Sequence, residues 1–377
     1  MTGVSETARP LHVGLLTADL TLRHGWASYS LRLAEALCAQ GVQLTIVAAR
    51  NSPPLDGTTV LPLLPTLLPR ERAPVPKQFL RLPQVRAALS SCDVIHATAE
   101  PYAPLAAAVA GSRPFFVTGH GSYVRYRRVT RPPFDRLYGW AYRRSTMICV
   151  SHYTARVAGA ELPGLRTVVV NNGVDAARFA HLPPLDEPLT GPTVLSVGAV
   201  KARKGTLELV RAMAAVREQR PDAQCVIIGS LEHEPGYVAR VRAEIERLGL
   251  RDAVRLLGHL PERTMLAWYG AARVFVLPSI NAGWKFEGFG LTLMEASAAG
   301  LPVIGTRDCG AEDAVVDGVT GLLVSQRDLE TTLPGAILRL LDHPDEAARM
   351  GAAGQARARS QTWDRVAEQV IRLYRQA

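Results

Sequence analysis

EGFGLTLMEASAAGLPVIGTRDCGAEDAVVDGVTGLLV, residues 287–324, follows the apolar run RVFVLP (273–278), which reads as a buried β-strand. Glu287 falls in the loop after that strand, and Gly288 and Gly290 let a ligand come close to the backbone. The spacing predicts a helix from about Leu291, with Glu295 one turn in. A glycine-rich loop feeding a helix N-terminus presents free N–H groups and the positive end of the helix dipole, which suits a diphosphate. Two carboxylates flanking that nest would repel a phosphate on contact. Glu287 and Glu295 are therefore expected to point at hydroxyl groups, one on a sugar and one on a ribose. The alternative for the stretch read alone is a tight loop beside a surface helix that carries a solvated Glu.

Outward from this stretch, short apolar runs alternate with helix-length segments along the whole chain. Strands are expected at 11–17, 42–49, 93–97, 114–118, 146–150 and 167–170, then at 193–198, 223–229, 253–258, 273–278, 301–305 and 320–324. Runs that are continuously apolar imply parallel sheets covered on both faces, and strand–helix alternation implies doubly wound α/β architecture. A chain of 377 residues exceeds the roughly 250–300 residues at which a single core stops growing, so two domains are expected. HLPPLDEPLTGPT (181–193), with four prolines and no periodicity, reads as the linker. The expected division is a Rossmann-like domain over 1–185, a second over 186–360, and a C-terminal helix over 361–377 packing back on the first. Parallel sheets take ligands at the carboxyl ends of their strands, so two facing domains would share one cleft.

Composition narrows the function. The hydrophobic fraction of 47 % and the lack of charge runs suit a folded chain, with disorder expected only in the first ten residues. The start does not read as a secretory signal, and the most apolar stretch, VLPLLPTLLP (60–69), is broken by prolines. Cys38, Cys92, Cys149, Cys225 and Cys309 are scattered, without metal or redox spacing, and read as thiols of a reducing, cytoplasmic compartment. The net charge of +9 fits phosphorylated small molecules or an anionic membrane surface, while the lack of any nucleic-acid signature argues against DNA or RNA. No GxGxxG follows the first strand, which argues against a nicotinamide enzyme. Neither Asp-x-Asp nor a cluster with metal-ligand spacing occurs, so no metal and no cofactor is expected, and cations with helix dipoles would take a metal's place.

LSVGAVKARKGTLELVRAM (195–213) reads as strand, loop and helix, with Lys204 where the loop turns into the helix near Gly205. Its ammonium can join that N-terminus in holding phosphate. His120, in TGHGS, ends a strand of the first domain, as His96 does in DVIHA. Each could instead be a buried or capping histidine.

Together these stretches resemble retaining glycosyltransferase family 4, of the GT-B fold. The family's E-x7-E element matches Glu287 and Glu295. VRLLGHLPERTMLAWYGAARVFVLPS, NNGVDAARF (171–179), PFFVTGHGS (114–122), ICVSHYTA (148–155) and DVIHATAEP (93–101) have counterparts in the same order. The resemblance implies transfer of a sugar from a UDP- or GDP-linked donor to an acceptor hydroxyl of a glycan, a lipid-linked glycan or a small molecule. It implies attack on the face the leaving group departs from, with no separate base. Catalytic roles fall to His120, Lys204 and Glu287; donor binding falls to Gly25, Gly198, Arg203, Lys204, Gly288, Phe289, Gly290, Leu291 and Glu295. There are two departures. The family's Arg after the loop glycine is Ala199 here, leaving Lys201 or Arg203 to supply that charge. Its glycine pair after the first strand is His24–Gly25. A GT-B epimerase or a non-catalytic sugar-nucleotide-binding subunit are the alternatives.

Residues 123–144, YVRYRRVTRPPFDRLYGWAYRR, hold seven arginines, five tyrosines or tryptophans and one acid. This suits peripheral contact with an anionic membrane, at its inner face for a cytoplasmic protein, or equally a solvated basic helix beside an acceptor groove.

Overall fold

The structure is a computed structural model that describes residues 9–68, 71 and 74–377. Of the ten N-terminal residues expected to be disordered, 1–8 lie outside the described residues.

The chain divides into two compact units. The first comprises residues up to 150, 155–170 and 363–377; the second comprises 151–154 and 171–362. The first unit holds β1 (His12–Leu16), β2 (Gln43–Ala49), β3 (Thr59–Leu64), β4 (Val94–Ala97), β5 (Phe115–Gly119), β6 (Thr146–Cys149) and β7 (Arg166–Val169). They form one sheet in the order β3-β2-β1-β4-β5-β6-β7, parallel throughout. The second unit holds β8 (Thr193–Val197), β9 (Gln224–Ile228), β10 (Val254–Gly258), β11 (Val274–Val276), β12 (Val303–Thr306) and β13 (Gly321–Val324). Their order is β10-β9-β8-β11-β12-β13, again all parallel.

The two doubly wound, Rossmann-like units expected from the alternation are present, with one strand more than expected. β3, TVLPLL, falls in the proline-interrupted stretch that reads as irregular. It lies at the edge of the sheet, where Pro62 need not donate to a neighbour on its outer side. The inner strands β1, β4, β5, β8 and β12 are buried at every residue, which explains their unbroken apolar runs.

In each sheet the winding direction reverses once, between β1 and β4 and between β8 and β11. The loops leaving those strands cannot cross over one another and so diverge, which opens a crevice at the carboxyl ends. The helix Trp363–Gln376 belongs to the first unit and buries Val366, Ala367, Val370, Ile371 and Tyr374 along one stripe. The Tyr374 hydroxyl lies 2.6 Å from His96 Nδ1, and His96 Nε2 lies 2.8 Å from Thr118 Oγ1. Both ring nitrogens of His96 are thus committed inside the first unit's core, where burial holds the imidazole neutral by pushing its pKa down to about 3.

Candidate active site

The loop after β8 is built by close backbone approach. Gly198 has φ +153°, and a Cβ on Gly229, at the end of β9, would lie 2.1 Å from the Gly198 carbonyl oxygen. Gly205 has φ +67°, and a Cβ there would lie 1.8 Å from the Pro278 carbonyl oxygen, so only glycine lets this loop rest on the segment leaving β11. Ile280 N donates to Arg203 O at 2.9 Å across the same contact. Gly205 then caps the helix Thr206–Gln219.

Glu287 sits where these two loops meet. Its Oε2 accepts from Arg203 Nη1 and Lys204 Nζ, each at 2.7 Å, and from Ser279 Oγ at 3.1 Å. Burial alone would raise the Glu287 pKa; Arg203 and Lys204 outweigh it and hold the carboxyl down at about 2. The backbone beyond is fixed by Gly310 N donating to Glu287 O at 2.8 Å, and by Gly310 itself, whose Cβ would lie 1.9 Å from Gly288 O. Phe289 is buried, and Gly290, at φ +85°, caps the helix Leu291–Ala298, as the sequence predicts. In that helix's first turn the Thr292 hydroxyl is buried with no hydrogen-bond partner among the described residues. Glu295 lies one turn on, and its Oε2 accepts from the Tyr269 hydroxyl at 3.3 Å. Burial raises its pKa, with Arg178 pulling the other way.

Two further cations complete this region. Glu234 accepts from Ala202 N at 2.9 Å and pairs with Lys285 at 3.3 Å, tying the β8 loop to the β11 loop. Lys201 forms no ion pair among the described residues. Burial, with Arg203 and Lys204 nearby, brings its pKa down to about 8. Lys201, Arg203, Lys204 and Lys285 against Glu234 and Glu287 leave a surplus of two positive charges. The structure therefore brings together Gly198, Arg203, Lys204, Glu287 and the 288–291 backbone, with Glu295 one turn along the helix. Ala199 leaves no cation of its own.

His120 and Gly25 belong to the first unit. His120 N donates to Glu100 Oε1 at 2.7 Å and its Nε2 donates to Thr98 O at 2.7 Å. Burial lowers its pKa, opposed by Glu100 and Thr98. Gly25 opens the helix Gly25–Ala39, whose cap is the His24 side chain accepting from Ala27 N at 3.3 Å. A Cβ on Gly25 would meet nothing within 4 Å, so nothing in the unit demands glycine there.

The comparisons agree with this architecture. Residues 24–178 match the profile of Glycosyltransferase Family 4, and residues 178–357 match that of Glycosyl transferases group 1, so the two meet end to end across most of the chain. The chain belongs to glycosyltransferase family 4. Among its relatives, the GDP-mannose-dependent alpha-(1-6)-phosphatidylinositol monomannoside mannosyltransferase of Mycolicibacterium smegmatis is 32 % identical over 65 % of each chain. The corresponding monoacylated enzyme of Corynebacterium glutamicum is 32 % identical over 54 % of each, so the matches span about half to two thirds of these relatives' length. The D-inositol 3-phosphate glycosyltransferase of Streptomyces scabiei is 27 % identical over 97 % of this chain and 91 % of its own. In fold, the sucrose-phosphate synthase of Thermosynechococcus elongatus matches with TM-score 0.78 at 24 % identity, over 97 % of this chain and 98 % of that one. Anabaena HepE, solved with UDP and glucose, matches with TM-score 0.76 at 18 % identity, over 97 % and 100 %.

In this family 4 chain the basic segment differs from its reading as interleaved arginines and interfacial aromatics. Tyr126, Tyr138 and Tyr142 are buried, with Tyr142 edge-on to Tyr126 at 5.6 Å and to Tyr138 at 6.0 Å. Tyr138 and Tyr142 are core residues because the helix Phe134–Arg144 turns them inward and leaves Arg136, Arg143 and Arg144 on its outer face, while Tyr126, in the short helix Tyr126–Val129, packs against Gly139 of that helix. Trp140 remains exposed, with Arg144 at 5.4 Å from its ring. Among the described residues, no helix is long and apolar enough to cross a membrane, and no group of three or more His, Cys, Asp or Glu is placed to hold a metal ion.

Several partners of the site escape the sequence reading: Ser279, Thr292, Glu234, Tyr269 and, in the first unit, Glu100 and Trp26. Glu100 alone left a signal, as the single acid in the apolar stretch VIHATAEPYAPLAAAVA.

Proposed function

We propose that this family 4 protein is a retaining, metal-independent glycosyltransferase that moves a sugar from a UDP- or GDP-linked donor to an acceptor hydroxyl of a glycan or lipid-linked glycan. The observation that carries the reading is the Arg203–Lys204–Glu287 cluster between two helix N-termini, with a surplus of two positive charges. A nucleotide-sugar diphosphate carries about two negative charges and gains a third as the glycosidic bond breaks. Lys204, Arg203 and Lys201, with the amides of residues 288–291, can stabilise that gain without a divalent ion. Glu287 Oε1 is left for a sugar hydroxyl, and Glu295 for the ribose. His120 aligns the reacting sugar, and the departing phosphate accepts the acceptor's proton. The mannosyltransferase relatives use GDP-mannose and HepE was solved with UDP-glucose, so both donors belong in the test. The exposed Arg127, Arg128 and Arg131 would bring the first unit to an anionic membrane carrying the acceptor. Turnover of UDP-glucose and GDP-mannose, followed as released nucleoside diphosphate with and without EDTA, tests the reading. Absence of turnover across lipid and glycan acceptors, together with absence of UDP and GDP binding in calorimetry, would overturn it.

A further inference from the structure

Glu100 is completely buried, at 0 % exposure, and among the described residues no cation pairs with it. A buried carboxylate is costly unless hydrogen-bonded. This one is held by two N–H groups from elsewhere in the first unit: Trp26 Nε1 donates to Oε2 at 2.8 Å and His120 N to Oε1 at 2.7 Å. The carboxylate thereby joins the helix that follows β1, the end of β4 and the end of β5. Only an acceptor with two free oxygens satisfies both donors; an amide would turn its NH2 toward one of them.

The ring of His120 is held by the same segment. Its Nε2 lies 2.7 Å from the Thr98 carbonyl oxygen, which can only accept, so the proton of the neutral ring is on Nε2. Tyr29 packs edge-on against the ring at 4.6 Å. Nδ1 makes no hydrogen bond within the described residues and carries the lone pair. We propose that Glu100 is the positioning residue for His120, setting its backbone so that the imidazole offers Nδ1 as a hydrogen-bond acceptor to a substrate hydroxyl. What the ring touches rests on the transferase reading; how the ring is held rests on the first unit alone.

The titratable groups that face His120 are Glu100, His96 on β4 and Tyr29. His96 is held neutral at about 3 and Tyr29 is pushed up to about 12, both by burial, so Glu100 supplies the charge that acts on the ring near neutrality. Glu100 raises the His120 pKa against the larger effect of burial, which lowers it. Removing that charge must move the ring's titration to lower pH still.

The test uses Glu100→Gln and Glu100→Gln/Trp26→Phe in the full chain. Trp26→Phe removes the N–H that a Gln amide would oppose, so the double variant regains fit without regaining charge. Nitrogen-15 histidine spectra should show His120 as the Nε2–H tautomer in the wild type, titrating below the ordinary 6.5. Both variants should titrate lower. Turnover of UDP-glucose or GDP-mannose should fall about 10- to 100-fold, with KM little changed, as expected for a misaligned contact. The acidic limb of the rate profile should move down with the ring. In the double variant the melting temperature should recover while turnover does not. An unmoved titration, or turnover that recovers together with melting temperature, overturns the proposal by making Glu100 purely structural. A wild type that consumes neither donor refutes the transferase reading instead, and the titration shift then still decides whether Glu100 holds the ring.

Discussion

Glu287→Gln separates the ion pairing of Glu287 from its proposed role as a sugar-hydroxyl partner. The wild-type carboxylate is about nine-tenths buried and accepts from Arg203, Lys204 and Ser279 through one oxygen. Its folded-state pKa of about 2 lies below the ordinary 4.5. At roughly 1.4 kcal/mol per unit, that difference amounts to about 3 kcal/mol of stability at neutral pH. Because the folded pKa is depressed, this stability is complete above pH 4.5 and is lost as pH falls toward 2. The amide should therefore lower the second unit's melting temperature by about 6–12 °C at pH 7, given 2–4 °C per kcal/mol for a unit of this size. It should also flatten the acid dependence in that window. Nucleotide binding should move the opposite way. Removing a negative charge raises the surplus around Lys204 from two to three, so UDP or GDP should bind at least as tightly. Turnover should fall, since the sugar loses a charged hydroxyl partner. Scanning calorimetry from pH 2.5 to 7, titration calorimetry with UDP and GDP, and steady-state donor turnover read the three effects. An unchanged melting temperature would refute the stabilising ion cluster. Weaker UDP and GDP binding would show that Glu287 contacts the nucleotide rather than balancing its cations.

Glu295→Ala should weaken UDP or GDP binding by about 1.5–3 kcal/mol, because ribose hydroxyls lose a charged partner, and calorimetry checks it. Lys204→Ala should lower kcat more than donor affinity, since negative charge on the phosphate grows as the bond breaks; a raised KM with intact kcat would contradict this. Activity should survive EDTA, and loss restored by Mg2+ or Mn2+ would place a metal in the mechanism. Charge reversal at Arg127, Arg128 and Arg131 should abolish flotation with anionic vesicles at low salt, each residue contributing about 1 kcal/mol, while UDP and GDP affinity stays unchanged.

The elements most legible in the sequence are those where one physical demand dominates. Inner strands such as β8 and β12 need apolar residues on both faces, so they read without ambiguity. The turns into the helices at Thr206 and Leu291 need positive φ, and Gly205 and Gly290 mark them. β3 was not legible because its edge position relaxes both demands: Pro62 is tolerated, and the residues are only partly buried. The tyrosines of 123–144 misled for a related reason. Their helical spacing is shared by a core stripe and an interfacial face, and only the neighbours decide which: Tyr138 donates to Pro101 O at 3.0 Å, and Tyr126 fills the space left by Gly139.

Partner choice within the site was the harder matter. Glycines mark where a loop must come close, but they carry no record of which side chain meets which. Glu287 reads as a hydroxyl ligand, yet its firmest contacts are Arg203, 84 residues away, and the adjacent Lys204. The family's missing Arg at Ala199 then takes on a local meaning. With Arg203 and Lys204 drawn to Glu287, and Lys285 to Glu234, Lys201 is the cation of this loop that forms no ion pair among the described residues, although Glu234 acts on it at longer range. Burial lowers the Lys201 pKa most, the neighbouring cations Arg203 and Lys204 add to that, and Glu234 opposes them. An arriving diphosphate would oppose that lowering and hold the ammonium charged. On the proposed reading that charge would favour an entering phosphate, so that Lys201 would stand in for the arginine that Ala199 replaces.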